Sequence, residues 1–328
     1  MNIVQFHTPE GERCVAVVQG RTAMAIQGAT RTYDLARRAI ASRRTLEEVV
    51  MDAGFAGEFD LPSLAAQGLL LAPIDHPDPA HLLVTGTGLT HLGSANARDA
   101  MHQGEGDGQV TDSMKMFRMG IEGGKPAVAR KGVQPEWFYK GSGHTIVPPG
   151  APLRSPAFAL DGGEEPEIAG IYVIDDAGAP FRLGFALANE FSDHVTEKQN
   201  YLYLAHSKLR QSSIGPELLV GALPPHVEGM SRIRRNGEVV WEKPFLSGEA
   251  NMSHTIANLE YHHFKYAAFR RPGDIHVHMF GTATLSFSDG IAAREGDCFE
   301  ISASGFGLPL SNTLQREAEE HVDVRALY

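Results

Sequence analysis

Three acids and one lysine in the middle of the sequence are residue types that can bind a divalent cation and move a proton. Glu165 and Glu167 lie two positions apart, Glu190 ends the next apolar segment, and Lys208 follows in a segment of helical pattern. Residues i and i+2 of a strand point to the same face, so Glu165 and Glu167 can direct two carboxylates at one hard cation. Local spacing alone favours a simpler interpretation, in which these acids form a solvated turn before a strand.

The elements that carry these residues decide whether they can meet. The apolar pattern predicts strands over residues 166–174 and 181–189, and a hairpin of the two would bring all three acids to one end of a sheet. A helix predicted over residues 196–211 carries Lys208 on its core-facing side. A lysine there most often keeps its ammonium at the surface. Burial would instead lower its pKa and make the amine a base, whereas nearby carboxylates act in the opposite direction.

Other segments contain weaker candidates for a site. Lys140 lies among aromatic residues, where it could hold an anionic ligand or cover apolar rings. Gly281 and Thr282 follow a predicted strand and can offer backbone amides and a hydroxyl to a carboxylate. The 15 histidines have no H-E-x-x-H spacing, so we interpret most of them as structural or exposed, with His262 and His263 on a helix surface.

Composition excludes several classes of protein. The 328 residues are 42% hydrophobic and 21% charged, which predicts a folded chain, and the formal charge of -11 disfavours nucleic acid or an anionic membrane as partner. Apolar runs fall far short of the roughly 20 residues that span a membrane, and the start of the chain does not resemble a signal peptide. The 2 cysteines lack a metal-type spacing, so we expect a reducing, cytoplasmic location. Walker, G-x-G-x-x-G and G-x-S-x-G motifs are also missing from the sequence.

Two domains are predicted, with a boundary near residue 80. Short alternating strands and two helices fill the first 53 residues, and the proline-rich segment 72–79 closes a small N-terminal α+β domain over residues 1–80. The larger domain then covers residues 81–328. Within it, residues 101–132 are rich in glycine and methionine and lack a stable period, which predicts a mobile loop or lid or, equally well, a plain insertion.

The order of several short motifs over roughly residues 81–314 resembles the catalytic domain of the fumarylacetoacetate hydrolase family. Each motif is weak alone, and the order makes the resemblance specific. The motifs are Glu165-Pro166-Glu167, Asn189-Glu190-Phe191-Ser192, Ser207-Lys208, Arg271-Pro272-Gly273-Asp274, Gly281-Thr282 and Gly296-Asp297.

The resemblance implies an α+β fold, a mixed β-roll with helices, and an assembly as a homodimer or a dimer of dimers. It also implies a small-molecule 2-oxo acid substrate and a Mg²⁺ or Mn²⁺ ion bound through an E-x-E pair and a third acid. Carried over by position, the metal ligands are Glu165, Glu167 and Glu190, the catalytic lysine is Lys208, and the substrate-binding residues are Lys140, Ser94, Gly281 and Thr282.

The sequence departs from the family pattern at two places. The third ligand is usually the aspartate of an N-D-x-S segment, where this chain has the longer Glu190. In the loop after Thr90, family hydrolases often carry N-Y-x-x-H-x-x-E, whose histidine and glutamate activate water. Aligned on Gly88-Leu89, this chain has Ser94 and Ala97 at those positions. The missing pair disfavours C–C hydrolysis and leaves chemistry that needs only a cation and a base.

Within the family, residues 135–141 and 200–208 resemble enzymes that dehydrate 2-keto-3-deoxypentonates. The resemblance implies a Mg²⁺-dependent dehydratase of pentose catabolism that forms 2-oxoglutarate semialdehyde. Neutral Lys208 would take the C3 proton, and His91, His144 or a lid residue would protonate the departing 4-hydroxyl. Two alternatives remain open: an acylpyruvate or 2,4-diketo sugar-acid hydrolase, and a non-catalytic protein that binds a sugar acid.

Overall fold

The computed structural model describes residues 1–93, 111–127 and 131–328 and shows an α+β protein with two sheets. The strands are β1 Asn2–His7, β2 Arg13–Gln19, β3 Thr22–Ile26, β4 Phe55–Asp60, β5 Leu70–Leu71, β6 Leu82–Gly86, β7 Phe138–Ser142, β8 Ile146–Val147, β9 Leu153–Ser155, β10 Pro166–Ile174, β11 Pro180–Asn189, β12 Ser212–Ile214, β13 Leu218–Val220, β14 Val227–Arg235, β15 Glu238–Ser247, β16 Ile275–Met279, β17 Cys298–Ala303 and β18 Leu310–Arg316. The helices are α1 Thr32–Ser42, α2 Leu46–Ala53, α3 Leu61–Ala66, α4 Asp112–Gly123, α5 His194–Gln199, α6 Leu204–Lys208 and α7 Ile256–Phe264.

The larger sheet contains strands from both predicted domains. Its main path is β4-β3-β2-β1-β13-β11-β10-β16-β6-β7, and β15-β14-β17-β18-β9 form the smaller sheet. The antiparallel pairing of β1 with β13 joins strands from either side of residue 80 in one sheet, and the two-domain division there stays a prediction. Within the described ranges, no helix is both long and apolar enough to cross a membrane.

The hairpin predicted to bring the three acids together is confirmed. β10 pairs antiparallel with β11, with Pro166 opposite Asn189, so Glu165, Glu167 and Glu190 lie at one end of the sheet. All nine residues of β10 are buried, because one sheet face packs on the core that contains Ile171 and the other on the core that contains Ile168. Burial of both faces explains why this strand reads as a continuous apolar run.

The helix predicted over residues 196–211 is interrupted, which corrects the prediction. Helix α5 ends at Gln199, a 3-10 turn covers Tyr201–Tyr203, and α6 then ends at Lys208. The break follows from Asn200, whose backbone is extended and whose side chain accepts a hydrogen bond from the amide of Leu202. Asparagine competes in this way with the helical hydrogen bonds of its own backbone.

The segment predicted as a loop or lid, residues 101–132, contains helix α4. The absence of a stable period was therefore misleading for residues 112–123, where the Thr111 side chain accepts the Met114 amide and begins a helix. Residues 94–110 and 128–130 lie outside the described residues, and the lid prediction falls partly on them.

A buried histidine cluster lies between α7 and the sheet, so the surface position predicted for His262 and His263 is wrong. His263 is fully buried and its ring stacks on His278, with 4.4 Å between ring centroids. Its Nδ1 accepts a hydrogen bond from the indole of Trp137 at 3.2 Å, and its Nε2 lies 2.9 Å from Nδ1 of His276. Burial lowers the pKa of His276 and of His278 to about 3.

This cluster predicts a loss of stability in mild acid. His276 stays neutral in the folded protein, whereas in the unfolded chain it gains a proton below about pH 6.5. The unfolded state then binds more protons. The free energy of unfolding therefore falls as the pH is lowered, by up to about 1.4 kcal/mol per pH unit for each such histidine. We expect His276→Gln to flatten this slope in urea unfolding at pH 7, 6 and 5. The exposed control His226→Gln should keep it, and equal slopes for both variants would contradict the expectation.

Candidate active site

The end of the β10–β11 hairpin opens into a cavity whose wall carries most of the predicted site. Lys208, Gly281 and Thr282 join the three acids there. Two further residues of the wall, His194 and Glu197, belong to α5. The cavity has a volume of about 30 Å³, which is room for about two waters.

Glu165, Glu167 and Glu190 form a buried carboxylate cluster. One oxygen from each lies within 4.8 Å of the others. Glu167 Oε2 accepts a hydrogen bond from the amide of Gly281 at 2.7 Å, whereas its Oε1 has no hydrogen-bond partner in the described parts of the chain. Burial and the neighbouring Glu190 and Glu165 raise the pKa of Glu167 well above its usual range. Converging acids with a buried oxygen lacking a donor fit a hard divalent cation such as Mg²⁺ or Mn²⁺.

Lys208 lies inside this cluster. Its ammonium is hydrogen-bonded to Glu165 and lies 3.1 Å from Glu190 Oε1. Burial by itself would lower the pKa of Lys208, but Glu165 and Glu190 raise it well above its usual range. Of the two opposing effects that the sequence left open, the adjacent carboxylates therefore outweigh burial in setting the charge of this amine.

Lys140 is fully buried behind the cavity wall. Its ammonium donates to the backbone carbonyls of Phe191 at 2.6 Å and Lys208 at 2.9 Å, and it lies 3.8 Å from Glu190 Oε1. Burial lowers the pKa of Lys140 to about 8 despite the opposing charge of Glu190. Lys140 thus holds the backbone of Lys208 and lies near the Glu190 carboxylate on the side away from the cavity. Contact of Lys140 with a substrate stays a prediction.

Gly281 and Thr282 are both at the cavity, but their polar groups already have protein partners. The amide of Gly281 donates to Glu167, and the hydroxyl of Thr282 accepts a hydrogen bond from the Thr284 amide at 3.2 Å. Gly281 has a φ of +91°, and a Cβ there would lie 2.5 Å from the Thr90 hydroxyl. Glycine is therefore required where the backbone passes Thr90 in this conformation, and this backbone supplies the amide that Glu167 accepts.

The structure does not bring the predicted general acids into the cavity wall. His91 is buried with Nε2 3.1 Å from the Ser247 hydroxyl, and burial lowers its pKa to about 3. His144 lies in a 3-10 turn next to the Ser142 hydroxyl. Neither of the two lines the cavity. The predicted substrate contact Ser94 lies outside the described residues.

His194 is a site residue that the sequence interpretation missed. Its Nε2 lies 3.1 Å from Glu165 Oε1 and its Nδ1 3.3 Å from Asp161 Oδ2. Burial would lower the pKa of His194, but hydrogen bonds to Asp161 and Glu165 raise it to about 10. The available signal was the spacing His194-x-x-Glu197, since residues three apart share one helix face.

Solved enzyme structures share this fold over nearly the whole chain. A 2-keto-3-deoxy-D-arabinonate dehydratase complexed with magnesium and 2,5-dioxopentanoate has a TM-score of 0.71 at 19% identity, covering 97% of this chain and 100% of that chain. The 5-carboxymethyl-2-hydroxymuconate delta-isomerase from Mycobacterium smegmatis has a TM-score of 0.58 at 18% identity, with the same coverage. The 2-hydroxyhepta-2,4-diene-1,7-dioate isomerase from Mycobacterium marinum has a TM-score of 0.59 at 19% identity, again with the same coverage.

These likenesses confirm the predicted fold, an α+β architecture of the fumarylacetoacetate hydrolase type. At identities below 20%, the likeness shows the fold, and the reaction has to be argued from the residues of the site. No protein-family model matches the sequence, and no curated protein sequence matches it.

Proposed function

We propose that this protein is a divalent-cation-dependent dehydratase of 2-keto-3-deoxy sugar acids. It would convert a 2-keto-3-deoxypentonate into 2-oxoglutarate semialdehyde in pentose catabolism. The observation that carries the proposal is the buried cluster of Glu165, Glu167 and Glu190 with Lys208 inside it. The similarity to a dehydratase at a TM-score of 0.71, against 0.58 and 0.59 for the two isomerases, supports the same choice.

Glu165, Glu167 and Glu190 would hold Mg²⁺ or Mn²⁺, which supplies Lewis-acid polarisation of a 2-oxo acid carbonyl and acidifies the neighbouring C3. Lys208 is the residue placed to take the C3 proton. Its two carboxylate neighbours keep it protonated only while their own charge is uncompensated, and compensation lowers the pKa of the amine. The 4-hydroxyl would then leave as water with the proton that Lys208 took from C3 as the C3–C4 double bond forms, and isomerisation of this product gives the semialdehyde.

The Lys208 ammonium and a divalent cation would compete for the same carboxylates, so cation binding requires a side chain to move. The side chain of Lys208 is the one that our proposal moves, because it lies between the carboxylates that the cation would engage.

A coupled assay tests the proposal. Purified protein with Mg²⁺ is incubated with a panel of 2-keto-3-deoxypentonate epimers, and the semialdehyde is detected with an added dehydrogenase and by mass spectrometry as the loss of one water. We expect product with at least one epimer and loss of turnover in EDTA, restored by Mg²⁺ or Mn²⁺. Turnover of diketo acids alone would refute dehydration.

One observation favours a second candidate, an acylpyruvate or 2,4-diketo sugar-acid hydrolase. His194 and Glu197 both line the cavity, three residues apart as in the H-x-x-E pair of family hydrolases. Glu197 would have to accept the proton of the water, because both nitrogens of His194 already face carboxylates. Release of pyruvate from a diketo acid, with no dehydration of the sugar-acid panel, would select this function.

We also propose that the protein is a homodimer with a cytoplasmic location. Light scattering of the same purified protein would test the homodimer.

A further inference from the structure

His194 is held on several sides at the edge of the carboxylate cluster. Its two ring nitrogens face Asp161 at 3.3 Å and Glu165 at 3.1 Å. The ring also stacks on Phe287, with 5.2 Å between centroids and 21° between planes. An imidazole fixed in this way has one orientation, and it links Asp161 to a carboxylate of the proposed cation site.

The backbone around His194 is built for this close approach. A Cβ at Gly163 would lie 2.7 Å from Nδ1 of His194, so the ring occupies space that only glycine leaves open. Gly163 and Ser192 exchange two backbone hydrogen bonds of 3.0 Å. The Asp193 side chain accepts the amide of Thr196 and begins the helix of His194. The segments of Asp161 and His194 are thereby fastened to each other next to Glu165.

Two donors meet at the same oxygen of Glu165. His194 Nε2 and the Lys208 ammonium both contact Oε1. If Lys208 moves during turnover, as our proposed reaction requires, His194 remains as the contact that holds Oε1. The other oxygen, Oε2, is then the one directed to a cation.

We infer that Asp161 and His194 form a positioning pair that fixes the orientation of Glu165 for a divalent cation. The inference rests on the proposed cation site and concerns His194 as a positioning residue. Outer-shell partners of metal ligands commonly contribute about 10-fold to 100-fold to metal affinity, because they restrict the ligand to its binding orientation. The pair predicts a contribution of that size from His194, transmitted through Glu165.

Calorimetric titration with Mn²⁺ alone, without substrate, tests the inference. We expect His194→Ala to weaken Mn²⁺ binding by about 10-fold to 100-fold, and His194→Gln, whose amide can still donate to Glu165, to recover most of the loss. Asp161→Asn should weaken binding less. The double variant with His194→Ala should be no weaker than His194→Ala alone, since both changes act through one contact. His226→Gln, a change at an exposed histidine, is the matched control.

Three results would overturn the inference. They are wild-type Mn²⁺ affinity in a folded His194→Ala protein, additive effects of the two substitutions, and no recovery with His194→Gln. If His194→Ala does not fold, Asp161→Asn decides in its place, and wild-type Mn²⁺ affinity in that variant would likewise overturn the inference. A wild-type protein that binds Mn²⁺ without dehydrating any sugar acid would refute the proposed function and leave the positioning pair intact. A wild-type protein that binds no Mn²⁺ would refute the positioning pair directly.

Discussion

Replacing Lys208 with methionine is expected to abolish dehydration and at the same time to tighten Mn²⁺ binding. Methionine keeps much of the volume of the buried side chain but removes the amine that would take the C3 proton. It also removes a positive charge hydrogen-bonded to Glu165 and 3.1 Å from Glu190. A charge this close to a cation site opposes cation binding, and its loss should increase Mn²⁺ affinity by about tenfold or more even with strong dielectric screening.

The two effects are measured separately, by the semialdehyde assay and by calorimetric titration with Mn²⁺. Lys265→Met is the matched control, since the ammonium of Lys265 donates a hydrogen bond to Gln134 and lies outside the cavity wall. Retained dehydration in Lys208→Met would exclude Lys208 as the base. Weaker Mn²⁺ binding in the same variant would mean that the ammonium holds the carboxylates in place and does not compete with the cation for them.

The meeting of the three acids at one end of the sheet was predictable because it depends on the local pattern of two strands. Two apolar segments separated by a turn form the β10–β11 hairpin, and antiparallel pairing then fixes which ends meet. Glu165, Glu167 and Glu190 reach one end of the sheet for that reason alone. The order of motifs added the fold, which the solved structures confirm.

Features that depend on tertiary burial could not be read from the sequence. Lys140 among aromatic residues fitted a surface lysine and a ligand contact equally well, and its burial against two backbone carbonyls comes from distant segments. The charge of Lys208 likewise depends on which of two opposing effects prevails, burial or adjacent carboxylates. The surface position predicted for His263 was wrong because its buried partners, the sheet histidines His276 and His278, come from a different segment of the chain.

Replacing Glu167 with glutamine should separate cation binding from folding. Glu167 Oε2 accepts the Gly281 amide at 2.7 Å, and the amide oxygen of glutamine can keep this hydrogen bond. Its amide nitrogen then takes the place of Oε1 and presents N–H donors to the cation position. Loss of one of three carboxylate ligands, together with this reversed polarity, should weaken Mn²⁺ binding by about a hundredfold or more.

The same substitution should stabilise the cation-free protein. Burial and repulsion from Glu190 and Glu165 raise the pKa of Glu167 well above its usual range. An acid whose pKa is higher in the folded state destabilises the fold once the pH exceeds its unfolded pKa, so neutral glutamine removes that cost at pH 7. We expect a gain of about 1 kcal/mol or more in urea unfolding with EDTA. Glu164→Gln is the matched control for cation affinity, because the neighbouring Glu164 is also buried but accepts hydrogen bonds from Ser286. Unchanged Mn²⁺ affinity in Glu167→Gln would remove Glu167 from the ligand set, whereas lower stability in EDTA would show that the three acids do not repel one another in the cation-free fold.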